Sequence, residues 1–417
     1  MEKKQMIKKG LIALIIIIIM SFIAFIFLKK DKEEVKKEPT LEGEEKIMST
    51  GDFTMDIVKI INKEAKDNFL ISPYNIEMAL NMLREGADGN TKKEIDKVLG
   101  DRVISNISIP KIVNTANGIF ISKQYQENVK DSFTKVMKDK YQSEILYDEF
   151  KTPDIINNWV KEKTNNMIEK IIDKVDDNFI MGLVSALAID VKWQSSFDCN
   201  STISEEFTKI DDSKMNVQMM HQTYKHDAKY IKTNDAEGIV IPYRKEESNN
   251  AELEFVALLP STNIHDYVNS LTNEKLIDIF NSTKDATDKY RIKLSLPRFS
   301  YDYSIDDLAL PLKSLGIKDA FNPNVANFKK MVDIDAYVGS AIHKTRIELN
   351  EYGTKAAAVT YFEIRANGAI KEEDYELIDV KFNKPFVYMI REKNTGEILF
   401  FGSVYEPNEW QGSTCTS

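Results

Sequence analysis

Apolar and polar positions alternate on two different scales along this chain. Over 11–28 every position but Ser21 is apolar, an unbroken run of 18 residues. A helix needs about 20 apolar residues to cross a bilayer core of about 30 Å, whereas the apolar stretch of a cleaved leader is roughly 7–15 residues long and ends in small side chains. This run closes on Phe25, Ile26, Phe27 and Leu28, with Lys3, Lys4, Lys8 and Lys9 before it and Lys29 and Lys30 after it. It predicts a membrane-spanning signal anchor over 11–28, preceded by a basic segment over 1–10. The next stretch, 29–48, mixes lysines and acids with Pro39 and Gly43 and reads as a solvated charged linker. A folded body is expected over 49–407 and a short tail over 408–417.

Within the body, apolar residues spaced three to four apart predict helices over 52–65, 76–86, 92–99 and 154–175. The last of these carries Ile155, Ile156, Trp159, Val160, Met167, Ile168, Ile171 and Ile172. Short apolar runs predict strands over 180–191, 238–242, 253–259, 292–297, 386–391 and 398–404. Helices come early and strands late, which favours an α+β fold over alternating βαβ units. There is no internal repeat.

Composition removes whole classes of function. The 417 residues carry 66 acids against 56 bases, a net charge of −10, with two cysteines and four histidines. Two cysteines exclude a multi-disulfide scaffold, no Cys/His zinc module can be assembled, and the acidic balance argues against nucleic acid as a partner. His221, His226, His265 and His343 fit no Ser/His/Asp or metal template, and there is no G-x-S-x-G elbow, phosphate loop or H-E-x-x-H. They read as structural or surface histidines. No metal, no cofactor and no catalytic activity is expected. Cys199 lies in the body and Cys415 in the tail, and each is expected to be a free thiol.

The most informative stretch is 350–380, where a run of small residues sits inside a strand-like pattern. Alternation places Thr354, Ala356, Ala358, Thr360, Phe362, Ile364 and Ala366 on one face, and Lys355, Ala357, Val359, Tyr361, Glu363 and Arg365 on the other. One face is free of charge and the other holds every charge. The start at Gly353 and Thr354 and the polar sequel read equally as an exposed loop.

Here the chain resembles the serpin family. The motifs that carry the resemblance are Asn68-Phe-Leu-Ile-Ser-Pro-Tyr-Asn-Ile76, Gly86-Ala-Asp-Gly-Asn-Thr91, Lys192-Trp193, Leu296-Pro-Arg-Phe299 and Leu315-Gly-Ile-Lys-Asp-Ala-Phe321. Further on come Ala341-Ile-His-Lys344, Glu351-Tyr-Gly-Thr354, Val380-Lys-Phe-Asn-Lys-Pro-Phe386 and Phe401-Gly-Ser-Val-Tyr-Glu-Pro407. The resemblance implies one domain of three sheets and about nine helices with an exposed reactive loop. It also implies a suicide inhibitor: an endopeptidase cuts the loop, is held as an acyl-enzyme, and the freed strand enters the main sheet. The partner would be a target serine or cysteine endopeptidase in covalent complex, and the chain itself a monomer. The other function the family offers is a non-inhibitory binding or chaperone-like module, which a bulky or proline-containing hinge would favour.

Carried over residue by residue, the resemblance puts the hinge at Glu351, Gly353, Thr354, Ala356, Ala357 and Ala358. Lys355 and Val359 depart from the family pattern on the solvent-facing side. The gate beneath the inserting strand falls on Ser72, Asn75, Ser185 and His343, with Trp193 at the strand end. Asn75 and Ser185 stand where the family often has serine and asparagine, an exchange able to keep a hydrogen bond. The family's loop length puts the reactive bond between Asn367 and Gly368, with Arg365 and Lys371 as alternatives because this loop is long. For orientation, four lysines before the span and five after it (Lys29, Lys30, Lys32, Lys36 and Lys37) give no direction. A protease trap on a tether makes physical sense facing outside, so a single-pass cell-membrane protein with its body extracellular is expected.

Overall fold

The computed structural model describes residues 53–102, 104, 113–245, 251–354 and 374–408. These hold eight α-helices: α1 (Phe53–Glu64), α2 (Pro73–Gly86), α3 (Gly89–Leu99), α4 (Asp131–Tyr141), α5 (Asp154–Lys163), α6 (Ile264–Asn269), α7 (Asn273–Asn281) and α8 (Ala309–Leu315). Helix α2 starts where its sequence dictates. Ser72 is extended and its hydroxyl caps the Asn75 amide at 3.2 Å, while Pro73 occupies a first-turn position that needs no N–H donor.

Among the described residues the strands form four sheets, two of them parts of one divided main sheet, giving the α+β architecture that the motifs implied. The first has seven strands in the order β1-β18-β17-β10-β9-β8-β11, using β1 (Phe69–Ile71), β8 (Lys229–Lys232), β9 (Ala236–Pro242), β10 (Leu253–Pro260), β11 (Thr283–Asp285), β17 (Phe386–Glu392) and β18 (Ile398–Val404). Every residue of β10 and β18 is buried, which is why both are mostly apolar in sequence, with Glu254 of β10 held by Arg391. Gly402 is obligatory there, since a Cβ would lie 2.6 Å from the Tyr388 ring. The second sheet runs β16-β12-β7-β6, from β6 (Ile203–Thr208), β7 (Lys214–Tyr224), β12 (Tyr290–Pro297) and β16 (Glu376–Lys381).

The main sheet is divided. One part is β3-β2-β4, from β2 (Val113–Ser122), β3 (Glu144–Asp148) and β4 (Met181–Ile189). The other is β13-β14-β15-β5, from β5 (Val191–Lys192), β13 (Phe299–Ile305), β14 (His343–Asn350) and β15 (Gly353–Thr354). Asp190 alone separates β4 from β5, so the two parts share one line of chain. Among the described residues no strand pairs with β4 on the side away from β2.

Two expectations are corrected here. The helix expected over 154–175 stops at Lys163, because Asn165 and Asn166 both take left-handed backbone (φ 51° and 60°). The chain then folds back along α5, where the Asn157 side chain donates to the Ile172 carbonyl and accepts from the Ile171 amide, both at 2.9 Å. Ile168, Ile171 and Ile172 still pack with Phe120 and Trp159, which reproduces helical spacing without a helix. The second correction concerns localisation. Among the described residues no helix is long and apolar enough to cross a membrane, and α2, the longest α-helix, has 14 residues against the roughly 20 required. The single-pass cell-membrane placement is therefore not upheld. The stretches 1–10, 11–28 and 29–48 lie outside the described residues, as do 409–417.

Candidate functional site

The site lies where the two parts of the main sheet meet. At the top of β14 the chain turns through Glu351 and Tyr352 into β15. Its two residues pair with β14 on one side (Leu349 with Thr354, Asn350 with Gly353) and with β5 on the other (Gly353 with Lys192, Thr354 with Val191). Only glycine fits at 353. Its φ is +154°, and a Cβ would lie 2.0 Å from the Val191 carbonyl oxygen. Thr354 is 2% exposed, and its Oγ1 lies 2.6 Å from the Tyr243 hydroxyl. Burial holds that phenol protonated, far above the usual tyrosine range.

Tyr243 is itself fixed by stacking on Trp193, with ring centroids 4.6 Å apart and planes 6° off parallel. Trp193 is fully buried; its indole N–H donates to the Asn350 carbonyl at 2.8 Å and its amide to the Tyr352 carbonyl at 2.9 Å. The strand end and the hinge are thus tied through one aromatic pair. Glu351 is 1% exposed, and its carboxylate accepts from Arg298 Nε and from the Thr202 hydroxyl, each at 2.5 Å. A buried carboxylate without such partners would cost several kcal/mol, so Arg298 and Thr202 are what permits this glutamate here.

At the other end of β14, eight residues before Glu351, the four gate residues come together. The Ser72 amide donates to His343 Nε2 at 3.0 Å, and the Ser185 hydroxyl donates to Asn75 Oδ1 at 3.4 Å. His343 is buried, and burial lowers its pKa to about 4, so the ring is neutral and offers Nε2 as an acceptor. Protonation would destroy that acceptor. The Thr345 hydroxyl donates to the Leu70 carbonyl at 2.7 Å and ties β14 to β1 as well.

Ala356, Ala357, Ala358, Arg365, Asn367, Gly368 and Lys371 lie outside the described residues. Sequence reasoning gave no role to Tyr243, Arg298 or Thr202. Arg298 stands in the Leu296-Pro-Arg-Phe299 motif, and an acid in a strand-like hinge required a cation somewhere, but nothing local names the partner across 53 residues. Cys199 is also corrected: it is disulfide-bonded, not a free thiol, and its Sγ lies 3.3 Å from the Tyr352 hydroxyl. Cys415 is outside the described residues. Sequence reasoning missed one polar chain as well. The Ser295 hydroxyl lies 3.0 Å from His221 Nδ1, and His221 Nε2 lies 3.1 Å from Glu205, which also takes Lys381 of β16 at 2.6 Å. Ser295 is 2% exposed, so the arrangement closes its hydroxyl to a substrate and serves as a brace across the second sheet.

Comparison with known proteins decides the family, since the model for serpins (serine protease inhibitors) matches residues 48–407. The chain belongs to the serpin family. It is 30% identical to glia-derived nexin of Rattus norvegicus over 84% of this chain and 90% of that one. It is 28% identical to plasminogen activator inhibitor 1 of Neovison vison over 85% of this chain and 92% of that one. Among solved structures it is similar to the thermophilic serpin tengpin in its native state, at 32% identity and a TM-score of 0.73 over 86% of this chain and 94% of that one. The fold is therefore that of a family of protease inhibitors whose members generally bind target proteases, although some are non-inhibitory.

Proposed function

We propose that this serpin is a suicide inhibitor of serine, and by the same acyl chemistry cysteine, endopeptidases, with its working body over 49–407. The enzyme's nucleophile attacks the carbonyl carbon of Asn367, forming an acyl bond and expelling the amine of Gly368, which takes up a proton. The segment freed on the N-terminal side then enters the main sheet between β14 and β4, with Thr354, Ala356, Ala358, Thr360, Phe362 and Ile364 facing the core. Small side chains at Ala356, Ala357 and Ala358 let the strand enter before deacylation releases the enzyme. Each new main-chain hydrogen bond is worth about 0.5–1.5 kcal/mol net, and the uncut loop, tethered at both ends, forgoes them. His343, Ser72, Asn75 and Ser185 form the latch that must part as the strand passes.

The observation that supports this reading is the seating of Gly353 and Thr354 as β15 between β14 and β5, with Thr354 already facing inward. Incubation of the full chain with trypsin, chymotrypsin, subtilisin and papain should yield an SDS-stable covalent complex with at least one of them. Ala358→Arg should be cut at the same rate without trapping, because an unpaired charge on the core-facing side costs several kcal/mol on insertion. Cleavage of the wild-type chain by all four without a complex, and without a rise in melting temperature after cutting, would assign the protein to the non-inhibitory binding class.

A further inference from the structure

The strand that leaves the loop carries exposed apolar side chains that the fold itself does not use. Asp374 is the first described residue after 354, and β16 follows at the edge of its sheet, paired among the described residues with β12 alone. Tyr375, immediately before this strand, is 38% exposed and Leu377 on it 48%. Period-two alternation puts both on one face. Beneath them Arg291, opposite Leu377 in the β12 register, lays its guanidinium 3.7 Å from the centre of the Tyr375 ring. The ring is thereby held in place at the surface, as a preformed contact and not a loose side chain. The flanking charges are acidic: Asp374 and Glu376 are both exposed, and in sequence four of the five positions 372–376 are acids.

An enzyme working on the preceding loop is held close to this surface. Tyr375 lies four residues after Lys371, eight after Asn367 and ten after Arg365, at most about 14 to 35 Å of extended chain. A protease domain of about 220 residues is on the order of 40 Å across, from a radius of gyration near 17 Å. An enzyme whose footprint reaches about 20 Å from the bond covers the start of β16 when Lys371 is cut, and does so for Asn367 or Arg365 wherever the intervening chain is not fully extended. We infer that Asp374, Tyr375, Glu376 and Leu377 form a docking surface for the target endopeptidase, one whose leaving-group side is cationic with an apolar spot that takes the Tyr375 ring. Such a contact raises the rate of encounter and selects among enzymes with the same bond preference. This inference rests on the inhibitory reading above.

The test uses the full chain with cationic and anionic trypsin, which share a preference for Arg and Lys and differ in surface charge, and with subtilisin. Second-order rate constants for covalent complex formation are measured at low and at moderate salt for the wild type, Tyr375→Ala, Leu377→Ala and Asp374→Lys. The expected result against cationic trypsin is a loss of about tenfold for Tyr375→Ala at either salt and for Asp374→Lys at low salt, the Asp374 effect alone shrinking with salt and with the anionic form. Melting temperature and complex stoichiometry should stay at wild-type values, and Tyr375→Phe should keep the rate. Equal rates for all variants where complexes do form would overturn the docking surface and leave the inhibitory reading intact. So would a concentration-dependent dimer that Tyr375→Ala abolishes, since a second copy would then own the patch. Absence of a covalent complex with any of these enzymes would remove the inhibitory reading and this inference with it.

Discussion

The buried pair at the hinge gives the sharpest test of what keeps the main sheet closed at its top. Arg298→Met removes the cation and keeps most of the stem volume, leaving the Glu351 carboxylate 1% exposed with Thr202 as its remaining side-chain donor. Breaking a buried pair by deleting one partner costs about 3–5 kcal/mol, and the surviving hydroxyl bond offsets about 1 kcal/mol of that. A net loss of about 3 kcal/mol should open β14 and β15 from β5 roughly a hundredfold more often, since 1.4 kcal/mol is tenfold. Hydrogen exchange read by mass spectrometry reports this directly, as faster exchange in peptides covering 343–354 and 191–197 with the first sheet unchanged. The double variant Arg298→Met with Glu351→Gln should return to within about 1 kcal/mol of wild type, because no charge is then left buried. Exchange within threefold of wild type in Arg298→Met would refute the argument, as would a double variant no better than the single.

Other outcomes follow from the same geometry. Gly353→Ala should expel the hinge from β15, since its Cβ would meet the Val191 carbonyl at 2.0 Å, and should raise the number of inhibitor molecules consumed per enzyme trapped, read by titration against active protease. Acid should destabilise the native state through His343. Its folded pKa of about 4 lies below the roughly 6.5 of an unfolded histidine. Stability held above pH 6.5 is therefore lost as pH falls towards 4, by up to about 3 kcal/mol, and His343→Gln should flatten that slope in urea titrations at pH 7 and 4.5.

Much of the fold was legible because it is local. The N-cap at Ser72, the apolar runs of β10, β17 and β18, and the motifs around Trp193 and Glu351 all announce themselves within ten residues. The end of α5 was not legible, because Met167, Ile168, Ile171 and Ile172 satisfy helical spacing while packing as a returning segment behind two left-handed asparagines. Nor were the ties of the hinge. Tyr243 reaches Thr354 across 111 residues, and Arg298 reaches Glu351 across 53. Such contacts depend on how sheets stack and not on any pattern along the chain. The disulfide at Cys199 failed for a similar reason, since spacing along the chain says nothing about Cβ separation.

The register of β15 also bears on which bond is cut. Thr354 lies opposite Val191, and antiparallel pairing carried along β5 and β4 without a bulge brings Ile364, ten positions on, opposite Met181, the first residue of β4 and its far end from the hinge. Insertion can therefore use the loop up to Ile364 before β4 runs out. An enzyme acylated at Arg365 would be drawn to within one residue of the sheet's end and one at Asn367 to within three, whereas Lys371 leaves seven residues. At about 3.3 Å per residue these are slacks of roughly 3, 10 and 23 Å. Trapping requires that the enzyme be pressed against the body hard enough to distort its active site, and 23 Å of free chain removes that force. Cleavage after Lys371 should thus give substrate turnover, and the covalent complex should arise from Asn367 or Arg365 alone. Mass spectrometry of the C-terminal fragment released on denaturing the complex reads this as a new N-terminus at Gly368 or Ala366. A one-to-one complex whose fragment begins at Glu372 would show that the inserted strand does not keep the register of β15.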